Sequence, residues 1–107
     1  MEIDIKQQKK TLKARGICVI IPTYNNDKTI RKVVAETLDY CDDVIVVNDG
    51  STDRTAEILH EIEGITVVAY PQNKGKGYAL KQGFRKALAM GFAYAITLDA
   101  DGQHYPE

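Results

Sequence analysis

Polar and apolar residues fall in alternating blocks along the chain, and four of the apolar blocks are short and rich in β-branched residues. Ile17-Cys18-Val19-Ile20-Ile21, closed by Pro22, is the first; Val44 to Val47, Ile65 to Ala69 and Ala93 to Leu98 are the others. A strand covered on both faces loses the in-out alternation of a half-exposed one, so these runs predict buried strands. Between them apolar residues return at helical spacing. Ile30, Val33, Val34, Thr37 and Leu38 predict a helix to about Tyr40 with Asp27 as its N-cap. Ala56, Ile58, Leu59 and Ile62 form the inward face of a second, capped by Thr52 or Asp53 and ended by Gly64. Ala79, Leu80, Phe84, Ala87 and Leu88 face inward on a third, ended by Gly91. Strand and helix thus alternate four times over short connections, which predicts an α/β three-layer sandwich: a mainly parallel sheet, right-handed crossovers and helices on both faces.

Every loop of unusual content follows a strand. In an open parallel sheet ligands bind beyond the carboxyl ends of the strands, where strand order reverses. A strand order of 3-2-1-4 puts that reversal between strands one and four, bringing Pro22 and Tyr24 beside Asp99 and Asp101, with Asp49 one strand over. The fourth strand empties into Asp99-Ala100-Asp101-Gly102-Gln103-His104. Carboxylates one residue apart in extended backbone point the same way, and two anions that close are costly without a cation between them. Oxygen ligands favour Mg²⁺ or Mn²⁺, with a diphosphate as the usual co-ligand. Gly102 permits a turn that folds Gln103 and His104 back toward the same ion; His104 then ligates the metal or contacts a phosphate.

The remaining motifs each have a plain reading and a functional one. Gly75-Lys76-Gly77 completes neither known glycine-rich phosphate loop and follows strand three, not strand one. It is either a flexible helix entry or a set of amides that, with Lys74 or Lys76, holds a phosphate or nucleotide. Asp49 is a turn residue or a hydrogen-bond partner of a base or ribose. Tyr24 is a surface aromatic or a stacking platform, and Pro22 ends a strand or lines the same wall. His60 reads as solvated.

Composition narrows the classes. The 107 residues suit one domain, and a hydrophobic share of 44% with 27% charged residues is that of a soluble globular protein. No apolar run approaches the roughly 18 residues of a membrane span. A net charge of −1 argues against a nucleic-acid binder. Residues 1–16 form a polar arm in which Lys6, Lys9, Lys10, Lys13 and Arg15 outnumber Glu2 and Asp4; it reads as solvated and partly helical, with anionic lipid headgroups as the alternative contact. Cys18 and Cys41 fit no metal spacing and read as buried free thiols. With no apolar core in the arm to mark a secretory signal, a reducing, cytoplasmic setting is expected.

Four segments together carry a resemblance. Ile20 to Asn26, Val46 to Asp53, Asn73 to Leu80 and Leu98 to His104 resemble the successive motifs of family 2 glycosyltransferases, nearest to the dolichol-phosphate mannosyltransferase-like branch. The resemblance implies a Rossmann-like N-terminal half of a GT-A domain over residues 17–107 and transfer of a sugar from a GDP- or UDP-sugar. It further implies an acceptor that is a polyprenyl phosphate or a polysaccharide. By it, Pro22, Tyr24, Asn26, Val47 and Asp49 form the nucleotide pocket, joined by Lys76 and by Asp99, Ala100 and Asp101. Asp99, Asp101 and Gln103 hold Mg²⁺ or Mn²⁺ on the diphosphate. Asn26 stands where the mannosyltransferase branch commonly has glutamate, and Asn48 where it often has aspartate. In the inverting mechanism usual for the family a carboxylate deprotonates the acceptor hydroxyl; that base is expected beyond residue 107, so the chain reads as a donor-binding half, inactive by itself and membrane-associated only in a longer form.

Two rivals stand beside this reading. A strand running into Asp-Ala-Asp-Gly also resembles the haloacid-dehalogenase phosphotransferases, with Asp99 as nucleophile, although that motif usually closes a first strand. The other is a nucleotide-binding fragment without catalysis that self-associates through its uncovered sheet edge.

Overall fold

A computed structural model of the chain describes residues 5–101. The four apolar runs form β1 (Ile17–Thr23), β2 (Val44–Asp49), β3 (Ile65–Tyr70) and β4 (Tyr94–Thr97), and the helices are α1 (Ile5–Ala14), α2 (Ile30–Leu38), α3 (Thr55–Glu61) and α4 (Lys76–Ala89). All three pairings are parallel, in the order β3-β2-β1-β4 expected from the sequence. Strand order therefore reverses between β1 and β4.

Alternation along the strands sorts the core into two layers. Val19, Ile21, Val44 and Val46 pack with Ile30, Val33 and Val34 of α2 and Leu59 of α3. Cys18, Ile20, Ile45 and Val47 point the other way and pack under Ala79 and Ala87 of α4. Both cysteines are buried free thiols, and burial pushes each thiol up from its ordinary value. The polar arm is ordered where described: α1 lies against β1, Leu12 packs on the α2-side core and Lys9 pairs with Asp42 at 3.2 Å.

Four local expectations need correction. Pro22 does not end β1, which pairs with β2 as far as Thr23↔Asn48; it is the β4 pairing that stops, at Ile20↔Thr97. In a parallel ladder alternate residues address the same neighbour, and the Ile20 carbonyl accepts from Leu98 N. Pro22, two residues on, therefore offers its missing donor on the β4 side, and the strands part there. Asp27 does not cap α2, whose N-cap is Thr29 without a side-chain bond. The turn that starts it is made by the Asn26 carbonyl, which accepts from both Thr29 N and Ile30 N. Ala56 is exposed on α3.

Phe84 and Leu88 do not face the sheet either. The contact face of α4 is Ala79, Gly83 and Ala87, a stripe repeating every four residues. A Cβ on Gly83 would come within 2.6 Å of Ile20 Cγ2 and 3.2 Å of Val47 Cγ2, so the helix rides too close to the sheet for large side chains. Phe84 and Leu88 are displaced to its flank, beside the exposed Tyr94 of the edge strand β4.

Candidate functional site

The loops at the carboxyl rim are fastened to one another mainly by side chains of the motifs themselves. Asn25, in left-handed backbone at φ 53°, accepts from the amides of Thr52 and Asp53 at 2.8 and 3.2 Å, and its own amide donates to Ser51 Oγ. Asn26 N donates to Thr55 Oγ1, while Asn26 Oδ1 turns back to accept from Thr23 Oγ1 at 2.7 Å and Tyr24 N at 3.1 Å. Asp53 accepts from the Thr55 and Asp27 amides. Burial, the strongest single influence on its carboxyl, opposes ionisation, but hydrogen bonds from Thr55 and Asp27 outweigh it and hold Asp53 below its ordinary range. Asn48 is buried and accepts from Ser51 N. The β1–α2 and β2–α3 loops are in this way one unit.

Asp49 fastens a third loop. It is 3% exposed and points to the α4 side of the sheet, where its carboxylate accepts from Lys74 N at 2.8 Å, Gly75 N at 2.9 Å and the Asn73 side-chain amide at 2.8 Å. Both oxygens are therefore engaged by the loop that opens α4. The Tyr70 hydroxyl is buried nearby without a partner within hydrogen-bond geometry. Burial first, then the Asp49 carboxylate, push that phenol above its ordinary value.

The loop delivers Lys76, the first residue of α4, to the carboxylate pair: Lys76 Nζ lies 2.7 Å from Asp99 Oδ1. That hydrogen bond, and the charges of Asp99 and Asp101, raise the lysine above its ordinary value. Lys74 goes elsewhere, its ammonium 5.9 Å from the centre of the Tyr78 ring, which meets Tyr70 edge-on at 5.2 Å. Ala100 is buried in the α2-side core with Leu98. Asp99 and Asp101 on either side of it are exposed. The Ala100 carbonyl accepts from Thr29 Oγ1 at 2.7 Å, tying the carboxylate loop to the start of α2.

The residues singled out by sequence thus divide. Tyr24, Lys76, Asp99 and Asp101 are exposed on the rim, and Pro22 is half-buried there. Asn26 and Asp49 are turned into the loop framework. Val47 is fully buried, packed under α4 and paired with both β1 and β3, and presents no surface to a ligand. Gln103 and His104 lie outside the described residues. Thr29, Asn25 and Asn73 escaped the sequence reading. Asn73 was accessible through strand parity, because Asp49 must share a face with α4 and the loop before it. Thr29 was hidden behind Asp27, which looked the better cap.

Among the described residues no group of three His, Cys, Asp or Glu side chains converges to hold a metal. The pair Asp99–Asp101 nonetheless offers hard, exposed oxygen donors, and one of them already carries a cation in the Lys76 ammonium. That donor set fits Mg²⁺ or Mn²⁺ with further oxygens from a ligand.

A parallel 3-2-1-4 sheet with an Asp-X-Asp loop at its switch point is an arrangement shared with glycosyltransferases of the GT-A fold. The sequence matches Glycosyl transferase family 2 over residues 18–107, and the chain belongs to that family. It is 37% identical, over 85% of its length, to a UDP-N-acetylglucosamine–dolichyl-phosphate N-acetylglucosaminyltransferase of Methanococcus voltae, of which it covers 43%. It is 35% identical, over 87% of its length, to an undecaprenyl-phosphate 4-deoxy-4-formamido-L-arabinose transferase of Pectobacterium carotovorum, of which it covers 31%. The chain spans less than half the length of these curated relatives. Among solved structures, glucosyl-3-phosphoglycerate synthase of Mycobacterium tuberculosis with bound uridine diphosphate superposes with a TM-score of 0.70 at 28% identity, over 94% of this chain and 39% of that one. The same enzyme with Mn²⁺, uridine diphosphate and phosphoglyceric acid gives 0.68 at 27%, over 94% of this chain and 38% of that one. Family membership sets aside the phosphotransferase reading of Asp99.

Proposed function

We propose that this chain binds the donor of a glycosyltransferase that moves a sugar from a UDP-sugar to a polyprenyl phosphate. The observation that carries the donor half of this reading is the rim itself. Asp99 and Asp101 flank a buried Ala100 at the switch point, with the Lys76 ammonium on Asp99 and the exposed Tyr24 ring on the neighbouring strand end. The choice of uridine rests on the uridine diphosphate bound in the structural relatives. The lipid acceptor rests on the dolichyl and undecaprenyl phosphates in the names of the sequence relatives. No helix among the described residues is long and apolar enough to cross a membrane, so in this reading the described part meets a lipid acceptor from the aqueous side.

In this reading each residue has a separate task. Asp99 and Asp101 present oxygens to Mg²⁺ or Mn²⁺, and Gln103 adds a third donor. A divalent ion on the diphosphate supplies the neutralisation that makes a nucleoside diphosphate a competent leaving group. Tyr24 offers its ring to the base, the half-buried Pro22 lines the floor, and Val47 supports that floor from within the core. Asp49 and Asn26 act one step back: the first fixes the Lys74–Gly75 backbone, the second fixes Thr23 and the Tyr24 amide, so that the exposed groups are held before the ligand arrives.

Titration calorimetry tests the reading. UDP added with Mn²⁺ is expected to bind more tightly than GDP, to lose most of its heat without metal, and to lose at least about tenfold in affinity in Asp101→Ala, the scale of one charge-assisted contact. Nucleotide binding indifferent to both metal and substitution would refute it.

A further inference from the structure

The cation already sitting on the carboxylate pair belongs to the protein. Lys76 Nζ occupies a hydrogen-bonding position on Asp99 Oδ1 at 2.7 Å, and both side chains are more than half exposed, at 64% and 57%. The root of the lysine is fixed, because Asp49 holds the amides of the two residues before it. Its four-carbon stem is exposed and has no such tether. A fixed root with a mobile charged tip can change partner without moving backbone.

We propose that Lys76 is a built-in counter-ion that holds the cation position on Asp99 until a donor diphosphate draws the ammonium away, so that metal and nucleotide bind with positive coupling. This rests on the donor-site reading above and goes beyond it. A divalent ion and an ammonium cannot share one carboxylate oxygen at contact distance, since like charges that close repel. Metal alone must therefore either displace Lys76 from Oδ1 or bind Oδ2 against the charge of the ammonium beside it, and in both cases the lysine opposes the metal until an anion draws it off. A diphosphate alone can take the ammonium but then leaves Asp99 without its cation, facing the incoming anion. When both arrive, the lysine moves to phosphate, the metal takes Asp99, and every charge has a partner. By linkage each ligand then raises the affinity for the other by the same factor. The lysine also neutralises Asp99 while the site is empty, which lowers the repulsion between Asp99 and Asp101.

An exposed ion pair sets the scale of the effect. Removing the competing ammonium in Lys76→Met is expected to tighten Mn²⁺ binding in the absence of nucleotide by about three- to fivefold, the size of a surface pair. It should weaken UDP binding in the absence of metal and shrink the ratio between Mn²⁺ affinities with and without UDP. Lys76→Arg keeps a cation on the same root and is expected to bind Mn²⁺ alone as the wild type does. The signal of free Mn²⁺ in electron paramagnetic resonance reads the metal affinities and titration calorimetry the metal-free UDP binding, both without turnover, and circular dichroism checks that each variant is folded. Mn²⁺ binding that is unchanged or weaker in Lys76→Met overturns the counter-ion role while leaving a metal-dependent, Asp101-dependent UDP site intact. A wild-type chain that takes up no Mn²⁺ with or without UDP overturns both.

Discussion

β2 and β4 look alike in sequence and end alike, in a turn carrying carboxylates, yet they stand at opposite extremes of burial. All six residues of β2 are buried, with β1 and β3 at its edges and helices on both faces. Among the described strands β4 pairs with β1 alone, and three of its four residues are exposed. Ile45 is 1% exposed and Ile96 46%. An apolar run therefore reports the affinity of a strand for an interior, and topology decides whether it gets one. Among the described residues the same contrast holds for the loops that follow. The turn after β2 is enclosed by two other loops, whereas the carboxylates after β4 are exposed, with Lys76 on Asp99 and Thr29 on the Ala100 carbonyl between them.

The strongest way to test the contrast is at the strand ends. Gly50 follows β2 at φ +67°, and a Cβ there would lie 2.2 Å from Asn73 N and 2.3 Å from the Gln72 carbonyl carbon. The obstacle is backbone, so Gly50→Ala must push apart the loops that Asp49 joins. A loss of about 3 kcal/mol or more is expected, from overpacking and left-handed strain together. At the end of β4, Asp99→Ala removes only an exposed ion pair and should change stability by less than about 1 kcal/mol. Urea unfolding midpoints of the two variants measure the difference, and similar midpoints would mean that the two rims are equally enclosed.

A matched pair within the strands comes next in size. Ile45→Ala opens a cavity between β2 and α4 and should cost about 2–5 kcal/mol. Ile96→Ala, the same chemical change on β4, should cost less than about 1 kcal/mol, because its side chain is half in solvent already. Equal losses would show β4 to be covered in solution, as it would be by a second molecule pairing along the edge.

Most of the architecture was legible because it follows from periodicity. Four β-branched runs separated by helical spacings leave few arrangements, and the placement of the polar loops after the strands singled out the rim. What was not legible depends on distance across the sheet. Nothing local to Phe84 or Leu88 says that Gly83 will bring α4 so close that their flank turns outward. Nor does anything local to Asp49 say that its carboxylate will be used up by Asn73, Lys74 and Gly75, some 25 positions on. By the family resemblance and their place after the strands, the motif residues read as a pocket. In the structure many of them hold one another, and the exposed subset on the rim is Tyr24, Lys76, Asp99 and Asp101.

Asp53 offers a smaller test of the enclosed side through pH. Its folded carboxyl is held below the ordinary value of 3.8 by hydrogen bonds from Thr55 and Asp27, against burial. The unfolded chain then binds the proton more readily, so stability rises with pH through the interval between the folded value and 3.8. The contribution is complete above that interval and is lost as pH falls through the folded value. Asp53→Asn keeps an acceptor and removes only the charge, so it should cost less than about 1 kcal/mol near neutral pH. The gap between variant and wild type should close in strong acid; a gap that persists there would place the effect in packing.

The smallest effect is expected at Leu88, measured against its neighbour Ala87 on α4. Ala87 is 5% exposed against the sheet and Leu88 is 76% exposed on the flank, one residue and about 100° further round the helix. Ala87→Gln must drive a polar chain into the layer of Cys18, Ile20 and Ile45, leaving its amide without a partner, and several kcal/mol should be lost. Leu88→Gln exchanges one solvated side chain for another of similar helix propensity, and the midpoint should move by no more than about 0.5 kcal/mol. If Leu88→Gln instead destabilises the protein in proportion to its concentration, the flank is buried against another molecule in solution, since only an association equilibrium makes stability depend on concentration.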